Sequence, residues 1–437
     1  MCRVGELHVE FRFYLETYGC SLNSADSDLI VGQVRKLGGA RVIRLADADI
    51  LIVNTCGVKE PTEDRIIYRL EQLSQESAPL LVAGCLPKIS MERVKAASPG
   101  FAAILGPQSI GSIQSVITRV LQGERGIVNL KADSGSKLSY FEGPTSGIVC
   151  TVPICEGCLG HCTYCAVRLA RGSVRSHRIS ELYDVVERCV HQGYREIRLT
   201  AQDTSAFGSD TGESIVELLR ALDRIEGPHV FRLGMFNPSL APSRLHDLLD
   251  IMKSTHFFKF FHVPLQSGSD QILSAMGRDY SVADWMLAVD NIREAFTHGT
   301  VATDVIVGFP RESEDDFQAT VDALERAAPE IVNISKYGDR PKTPASDSPE
   351  KVSTLIKKAR SRKMSTVVAK VTLAANASWV GWSGAVIATE TGSRGGAVCR
   401  NSAYRPIVIR QPVRLGESIE VRIVSAKRTY LAAEPLA

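Results

Sequence analysis

Apolar positions along this chain fall into two rhythms. Through residue 340, short apolar runs alternate with longer amphipathic stretches; after 370 only short β-like runs remain, broken by turn residues. In residues 11–122 the runs are Arg12–Thr17, Ile50–Asn54, Leu80–Ala83 and Ala102–Leu105, separated by helix-like Ser24–Leu37, Pro61–Gln75, Ser90–Ala97 and Ser109–Leu121. Pro61 suits the first turn of its helix, where its missing N–H is not needed. This β-α order predicts an α/β fold that opens with a doubly wound parallel sheet. Residues 123–146, weakly apolar and carrying Gly, Ser and Lys, read as a linker with room for one strand.

Residues 147–340 repeat the β-α unit six times. The expected strands are Gly147–Pro153, Glu196–Thr200, Val230–Met235, Phe258–Pro264, Ala302–Val307 and Glu330–Ser335. The expected helices are Ser180–Gln192, Ser214–Ile225, Pro242–Ser254, Val282–His298 and Ser313–Arg326. Six units predict a partial (β/α)6 barrel, an open version of the eight-unit barrel, with its site at the carboxyl ends of the strands. The Lys-, Arg- and Pro-rich stretch 341–370 closes this core. Residues 371–435 then carry turn signals at Gly381, Gly384, Gly395, Gly396 and Gly416, which predict a small β-barrel. The domain boundaries read as 11–122, 123–146, 147–370 and 371–435.

The cysteines give this layout its chemistry. Cys20, Cys56 and Cys85 each follow a predicted strand of the first sheet, the edge where ligands bind in doubly wound folds. One such thiol reads as a small buried hydrophobe. Three at equivalent strand ends point to a metal site. A second group, Cys158, Cys162 and Cys165, follows the first barrel strand with spacing C-x3-C-x2-C. Three thiolates in eight residues can hold three irons of a [4Fe–4S] cluster and leave the fourth open. A structural zinc site needs four ligands. Cys155 could supply the fourth, but the two Cys pairs would then be only three residues apart, against about 15–20 in a zinc ribbon. Polar residues gather at the same barrel edge: Gln202 and Asp203, Asn237, Gln266, Gly308, Tyr337 and Arg340.

Composition narrows the class. The chain has 437 residues, 44% apolar and 23% charged, with no run long enough to span a bilayer. Its start, MCRVGELHVEFRF, lacks the apolar core of a signal peptide. These two features predict a cytoplasmic location, and eleven cysteines in such a reducing compartment argue for metal or catalytic use rather than disulfides. Net charge is +2, but residues 351–437 hold 15 Lys and Arg against 4 Asp and Glu. That tail suggests a polyanionic partner, or a solvated basic surface. Arg394, Arg400, Arg405, Arg410, Trp379, Trp382 and Tyr404 mix cations with aromatic faces, as single-stranded RNA binders do. Each aromatic taken alone reads as core.

The C-x3-C-x2-C group with Tyr164 before its last cysteine resembles the radical S-adenosylmethionine (SAM) enzymes. Further segments extend the likeness over nearly the whole chain. TYGCSLNSADSD, NTCGVKEPTEDRI and AGCLP are similar to the N-terminal domain of the methylthiotransferases; HVPLQSGSDQIL, TDVIVGFPRESEDDF and NISKYGDRPKTPAS are similar to their radical core. GWSGAVIATE and CRNSAYRPIVI resemble the RNA-binding TRAM barrel.

This resemblance implies two [4Fe–4S] clusters and SAM as cofactors. Cys158, Cys162 and Cys165 would hold the cluster that cleaves SAM, and Cys20, Cys56 and Cys85 the auxiliary cluster that supplies sulfur. Gln202, Gln266 and Asp304 are candidates for SAM contacts, although each could simply cap a strand end. Tyr337 and Arg340 are candidates for the substrate mouth, Arg340 as a partner for phosphate or for a threonyl carboxylate. EGCLGHCTYC points to the archaeal and eukaryotic branch, which adds a methylthio group to C2 of N6-threonylcarbamoyladenosine at tRNA position 37. The partners implied are tRNA and an electron donor such as a ferredoxin or flavodoxin, with a monomeric chain and no membrane. Two other substrates use the same clusters, isopentenyladenosine-37 and a ribosomal-protein aspartate; the basic tail weighs against the latter. An RNA-binding iron–sulfur protein without radical activity is the reading from another class.

Overall fold

In this computed structural model residues 10–436 are described, except 59, 134, 145, 146, 393 and 394. The first sheet is parallel throughout. It contains β1 (Phe11–Thr17), β2 (Gly39–Val42), β3 (Ile50–Thr55), β4 (Leu80–Gly84), β5 (Ala103–Leu105) and β6 (Ile127–Asn129), in the order β2-β1-β3-β4-β5-β6. Helices α1 (Ser21–Lys36) and α5 (Ile113–Leu121) pack on one face. Helices α2 (Glu60–Leu73) and α4 (Met91–Ala97) pack on the other, and the short α3 (Leu86–Ile89) follows β4. With both faces covered, β3 and β4 are buried along their whole length, which is why they read as unbroken apolar runs. One strand escaped the sequence pattern, and another takes the place left for a strand in the linker. β2 is a four-residue edge strand with two exposed positions. β6 lies inside the stretch read as a linker and extends the sheet past β5.

The chain order reverses between β1 and β3, with β2 on one side and β4 on the other. That switch point opens a crevice at the carboxyl ends of β1 and β3, where Cys20 and Cys56 sit.

The second unit begins with β7 (Val149–Pro153) and a two-stranded ribbon of β8 (Cys155–Glu156) and β9 (Arg175–Ser176), which encloses α6 (Val167–Arg171). Then follow β10 (Glu196–Thr200), β11 (Val230–Leu233), β12 (Phe260–His262), β13 (Thr300–Val307) and β14 (Ile331–Lys336). β7, β10 and β11 form one parallel trio and β12, β13 and β14 another, joined by a parallel bridge from Phe231 to Phe257. The result is the expected six-stranded open arc. Its outer layer holds α7 (Ile179–His191), α8 (Ile215–Leu222), α9 (Pro242–Ile251), α10 (Asp270–Ala275), α11 (Val282–Ala295) and α12 (Glu314–Ala327).

The basic stretch after 350 forms one long helix, α13 (Thr354–Ala377), with the Ser353 hydroxyl accepting from the Ile356 amide at its start. It runs unbroken through position 371, where the β-like pattern was expected to begin. The last unit is a closed barrel of β15 (Ser383–Thr391), β16 (Ala397–Arg400), β17 (Pro406–Ile409), β18 (Ser418–Ala426) and β19 (Leu431–Pro435). Among the described residues no helix is long and apolar enough to cross a membrane.

Candidate active site

Cys158, Cys162 and Cys165 lie on the loop between β8 and α6, at the carboxyl end of the arc. Glycines shape this loop. Gly157 stands at φ +79, and a Cβ there would fall 2.0 Å from the Ser173 carbonyl oxygen. A Cβ on Gly160 would lie 3.4 Å from Cys158 Sγ and 3.5 Å from Cys162 Sγ, so the loop closes over two of its own sulfurs. Neighbouring elements fix it in place. Gln202 Oε1 accepts from the Gly157 amide at 2.8 Å, and the Thr163 amide donates to the Met276 carbonyl at 2.9 Å. Arg278 Nη1 stands 3.1 Å from Cys162 Sγ, its guanidinium over the Tyr280 ring. Burial pushes the Cys165 thiol up to about 11.

Cys20, Cys56 and Cys85 stand at strand ends of the first sheet and share neighbours there. Cys20 precedes the first turn of α1, Cys56 follows β3 and Cys85 precedes α3. The carboxamide oxygen of Asn23 lies 3.9 Å from Cys20 Sγ and 3.8 Å from Cys85 Sγ. Gly19, at φ +120, brings the backbone so close that a Cβ would meet Cys56 Sγ at 2.9 Å. Burial raises Cys56 to about 11, and the neighbouring Cys85 and Cys20 add to the effect.

One residue absent from the sequence reading ties the triplets together. Arg171 closes α6, six positions after Cys165, and its side chain is 0% exposed. Its Nε donates to Cys85 Sγ at 3.3 Å, and its Nη2 to Asn23 Oδ1 at 2.9 Å and Asp26 Oδ2 at 2.6 Å. Its Nη1 reaches Glu156 at 3.1 Å. Lys137 completes the group, bonding Asp26 at 3.1 Å and also Glu156. Two cations and two carboxylates are thus buried together between the first sheet and the open arc. No motif signals this, because the partners lie up to 148 positions apart.

The donor sets fit iron–sulfur clusters. Each triplet offers three thiols and carries one guanidinium against one sulfur, which offsets the negative charge that clustered thiolates bring. Among the described residues no three His, Cys, Asp or Glu side chains are drawn in tightly enough to share a single ion. Ligands of a polynuclear cluster bind different irons and do not need to be.

The remaining candidates divide. Gln266 adopts φ +67 at the end of β12 and pairs through its backbone with Asp304 and Ile306. Asp304 is engaged: His262 Nε2 stands 2.6 Å from its Oδ2, and Asn333 Nδ2 donates to its Oδ1 at 3.0 Å. Gln202 has its oxygen committed to the triplet loop. Tyr337 is buried edge-on to Phe309, with its hydroxyl donating to Asp339 at 3.1 Å. Arg340 corrects the expectation of a free anion partner at the mouth. It is buried, and its Nη2 is taken by Glu63 of α2, itself held by Arg93.

Cys155 is fully buried in the main core, its Sγ directed at the Asp203 carbonyl 3.9 Å away. Cys150 and Cys189 face each other in that core with sulfurs 3.0 Å apart. Trp379, Tyr404 and Arg405 are buried and Trp382 packs against the small barrel's core, so these side chains are not stacking platforms for bases. Arg394 lies outside the described residues.

Comparisons with known proteins agree with this geometry. The Radical SAM superfamily profile matches residues 152–324, and that of the uncharacterized protein family UPF0004 matches residues 12–106. The chain is 36% identical to a probable threonylcarbamoyladenosine tRNA methylthiotransferase of Archaeoglobus fulgidus, over 97% of this chain and 98% of that one. It is 30% identical to the threonylcarbamoyladenosine tRNA methylthiotransferase of Homo sapiens, over 97% of this chain and 74% of the human one. Among solved structures it resembles a radical S-adenosylmethionine methyltransferase from Kitasatospora setae with TM-score 0.56 at 13% identity, covering 77% of this chain and 74% of that one. At that identity the likeness is one of fold.

Proposed function

The chain belongs to the threonylcarbamoyladenosine tRNA methylthiotransferases, and from that premise we propose how its two cysteine triplets divide the work. The protein is a transferase that adds a methylthio group to C2 of N6-threonylcarbamoyladenosine at tRNA position 37, replacing C–H by C–S–CH3. The observation that carries the division of labour is that Arg171, six positions after Cys165, donates to Cys85 Sγ of the other triplet from within a buried ion network, while Arg278 separately reaches Cys162 Sγ.

Cys158, Cys162 and Cys165 would hold the cluster that works with SAM, and three thiolates suit a [4Fe–4S] cluster that keeps a position for a cofactor. Cys20, Cys56 and Cys85 would hold the auxiliary cluster at the switch-point crevice. When bound, the two clusters and SAM supply the one-electron chemistry, the sulfur and the methyl group that side chains cannot.

The chain's own contribution is placement. Gln202 pins the triplet loop through the Gly157 amide. Gln266 is the proposed contact to the cofactor, while Asp304 orients His262 within the arc. The arc encloses the base and excludes water, so that the reacting carbon and the sulfur meet in one geometry.

The substrate assignment is tested by mass spectrometry of tRNA nucleosides from cells deleted for the gene. The 2-methylthio derivative should vanish, N6-threonylcarbamoyladenosine should accumulate, and a plasmid copy should reverse both. Persistence of the methylthio nucleoside at its normal level would show that the substrate is wrong.

A further inference from the structure

Arg232 is a half-buried cation that joins no ion pair among the described residues, with its Nε fully enclosed. On β11 its neighbours Phe231 and Leu233 point outward into the core beneath the helices, as Ile197 and Leu199 do on β10. Arg232 and its register partner Arg198 therefore face the inside of the arc, together with Thr151 of β7. The Arg232 guanidinium lies 4.6 Å from the ring centre of Phe260 and 5.6 Å from that of Tyr404, which reaches in from the small barrel. Among the described residues it makes no hydrogen bond and no ion pair, and its Nε is buried without a partner.

The charges around it are partly committed elsewhere, although Glu196 Oε2 and Arg400 Nε are also buried without a partner. Arg198 Nε donates to Glu196 at 2.5 Å, and the Tyr404 hydroxyl donates to the same carboxylate at 2.5 Å. Arg400 stacks on Tyr404 at 4.6 Å and reaches Glu390 at 3.4 Å. Burial lowers the Arg232 pKa; Tyr404 and Glu196 oppose that effect, and Arg198 and Arg400 add to it. Nearer the carboxyl ends of the strands, the Asp304 carboxylate with His262 and Asn333 repels an anion from the upper wall. Three guanidiniums thus share the floor of the arc with one carboxylate, Glu196, and the Nε donors of Arg232 and Arg400 have no partner there. Such a group is costly in the free protein and suits an anion that arrives with the substrate.

The substrate offers one. The N6 substituent of its adenine ends in a carboxylate, and N6 stands on a different edge of the ring from C2. With C2 held at the mouth beside the Cys158–Cys165 loop, the substituent is free to extend into the arc. We propose that Arg232 receives the threonyl carboxylate there and is the residue that separates this substrate from adenosines with uncharged N6 groups. The inference rests on the function proposed above. It moves to Arg232 the role that sequence alone suggested for Arg340, which Glu63 occupies.

The test uses full-length protein carrying both clusters and two anticodon stem-loop RNAs. One bears N6-threonylcarbamoyladenosine; the other bears the same nucleoside with the carboxylate converted to a carboxamide. Binding and methylthiolation are measured for the wild type, Arg232→Met and Arg232→Lys. The wild type should lose about 10- to 100-fold in affinity and kcat/KM on the carboxamide, chiefly through KM. Arg232→Met should be as poor on the natural RNA and indifferent to the change, and Arg232→Lys should recover part of the discrimination. The Tm of RNA-free Arg232→Met should equal or exceed that of the wild type, because a half-buried charge with an enclosed, unpartnered Nε has been removed. An Arg232→Met protein that still distinguishes the two RNAs as the wild type does would overturn the assignment. A wild type that binds both RNAs but methylthiolates neither would instead overturn the proposed function, and this inference with it.

Discussion

Six thiols were legible from sequence, but the guanidiniums that touch two of them were not. Spacing marks Cys158, Cys162 and Cys165, and strand-end placement marks Cys20, Cys56 and Cys85, because both depend on local order alone. Arg171 and Arg278 meet Cys85 and Cys162 only through tertiary packing, across 86 and 116 positions. The same limit misplaced Arg340. A lone arginine near a strand's carboxyl end looks free until Glu63, 277 positions away, is seen against it. At this scale Arg171 is the residue to test. It is one of four buried charged side chains, so its removal leaves Asp26 and Glu156 with Lys137 alone. Arg171→Met should cost about 3–5 kcal/mol in urea unfolding, since a broken buried pair strands its partner charge. Because Arg171 donates to Cys85 Sγ, a proposed ligand of the auxiliary cluster, the midpoint potential of that cluster in an EPR-monitored titration should also fall. An unchanged potential would confine Arg171 to a structural role.

Among the elements, those with strong periodicity were read well and the marginal ones were not. The six arc strands lie within two residues of their expected bounds, because each is an apolar run closed by a polar strand end. β2 is short and half exposed, so it offers no pattern of its own, while β6 fills the one strand that the polar linker had room for. Helix α13 was obscured by its charge. Its stretch 351–370 has seven basic residues and no acidic one, which suggested a free cationic strip. The structure engages four of them with neighbouring side chains, of which only Arg360 is buried. Lys351 pairs with Asp339, Lys357 covers Tyr337, Arg360 bonds Glu312 and Lys363 lies near Glu314. Lys358, Arg362 and Lys370 are exposed and join no ion pair among the described residues. If these three meet RNA phosphates, replacing them with Ala should flatten the slope of log affinity against log salt by about 2 to 3. An unchanged slope would place the RNA track elsewhere, on the small barrel.

For the whole molecule, the order of three folding units follows from the two hydrophobic rhythms, but the way they lean on one another does not. The first sheet and the arc meet through Arg171, Lys137, Asp26 and Glu156, and through Ser21 and Thr200, whose hydroxyls are 2.7 Å apart. The small barrel meets the arc's floor through Tyr404 and Glu196. These seams give the account its central claim: two cysteine triplets on separate sheets serve one reaction, one for SAM cleavage and the other for sulfur. The most direct test assays anaerobically reconstituted, dithionite-reduced wild type and Cys56→Ala with SAM and a stem-loop bearing N6-threonylcarbamoyladenosine. 5′-deoxyadenosine and the methylthio nucleoside are quantified together. The wild type should form both, whereas Cys56→Ala should form 5′-deoxyadenosine but no methylthio nucleoside. Methylthiolation by Cys56→Ala, or loss of SAM cleavage in a Cys56→Ala protein that is folded, would contradict the division.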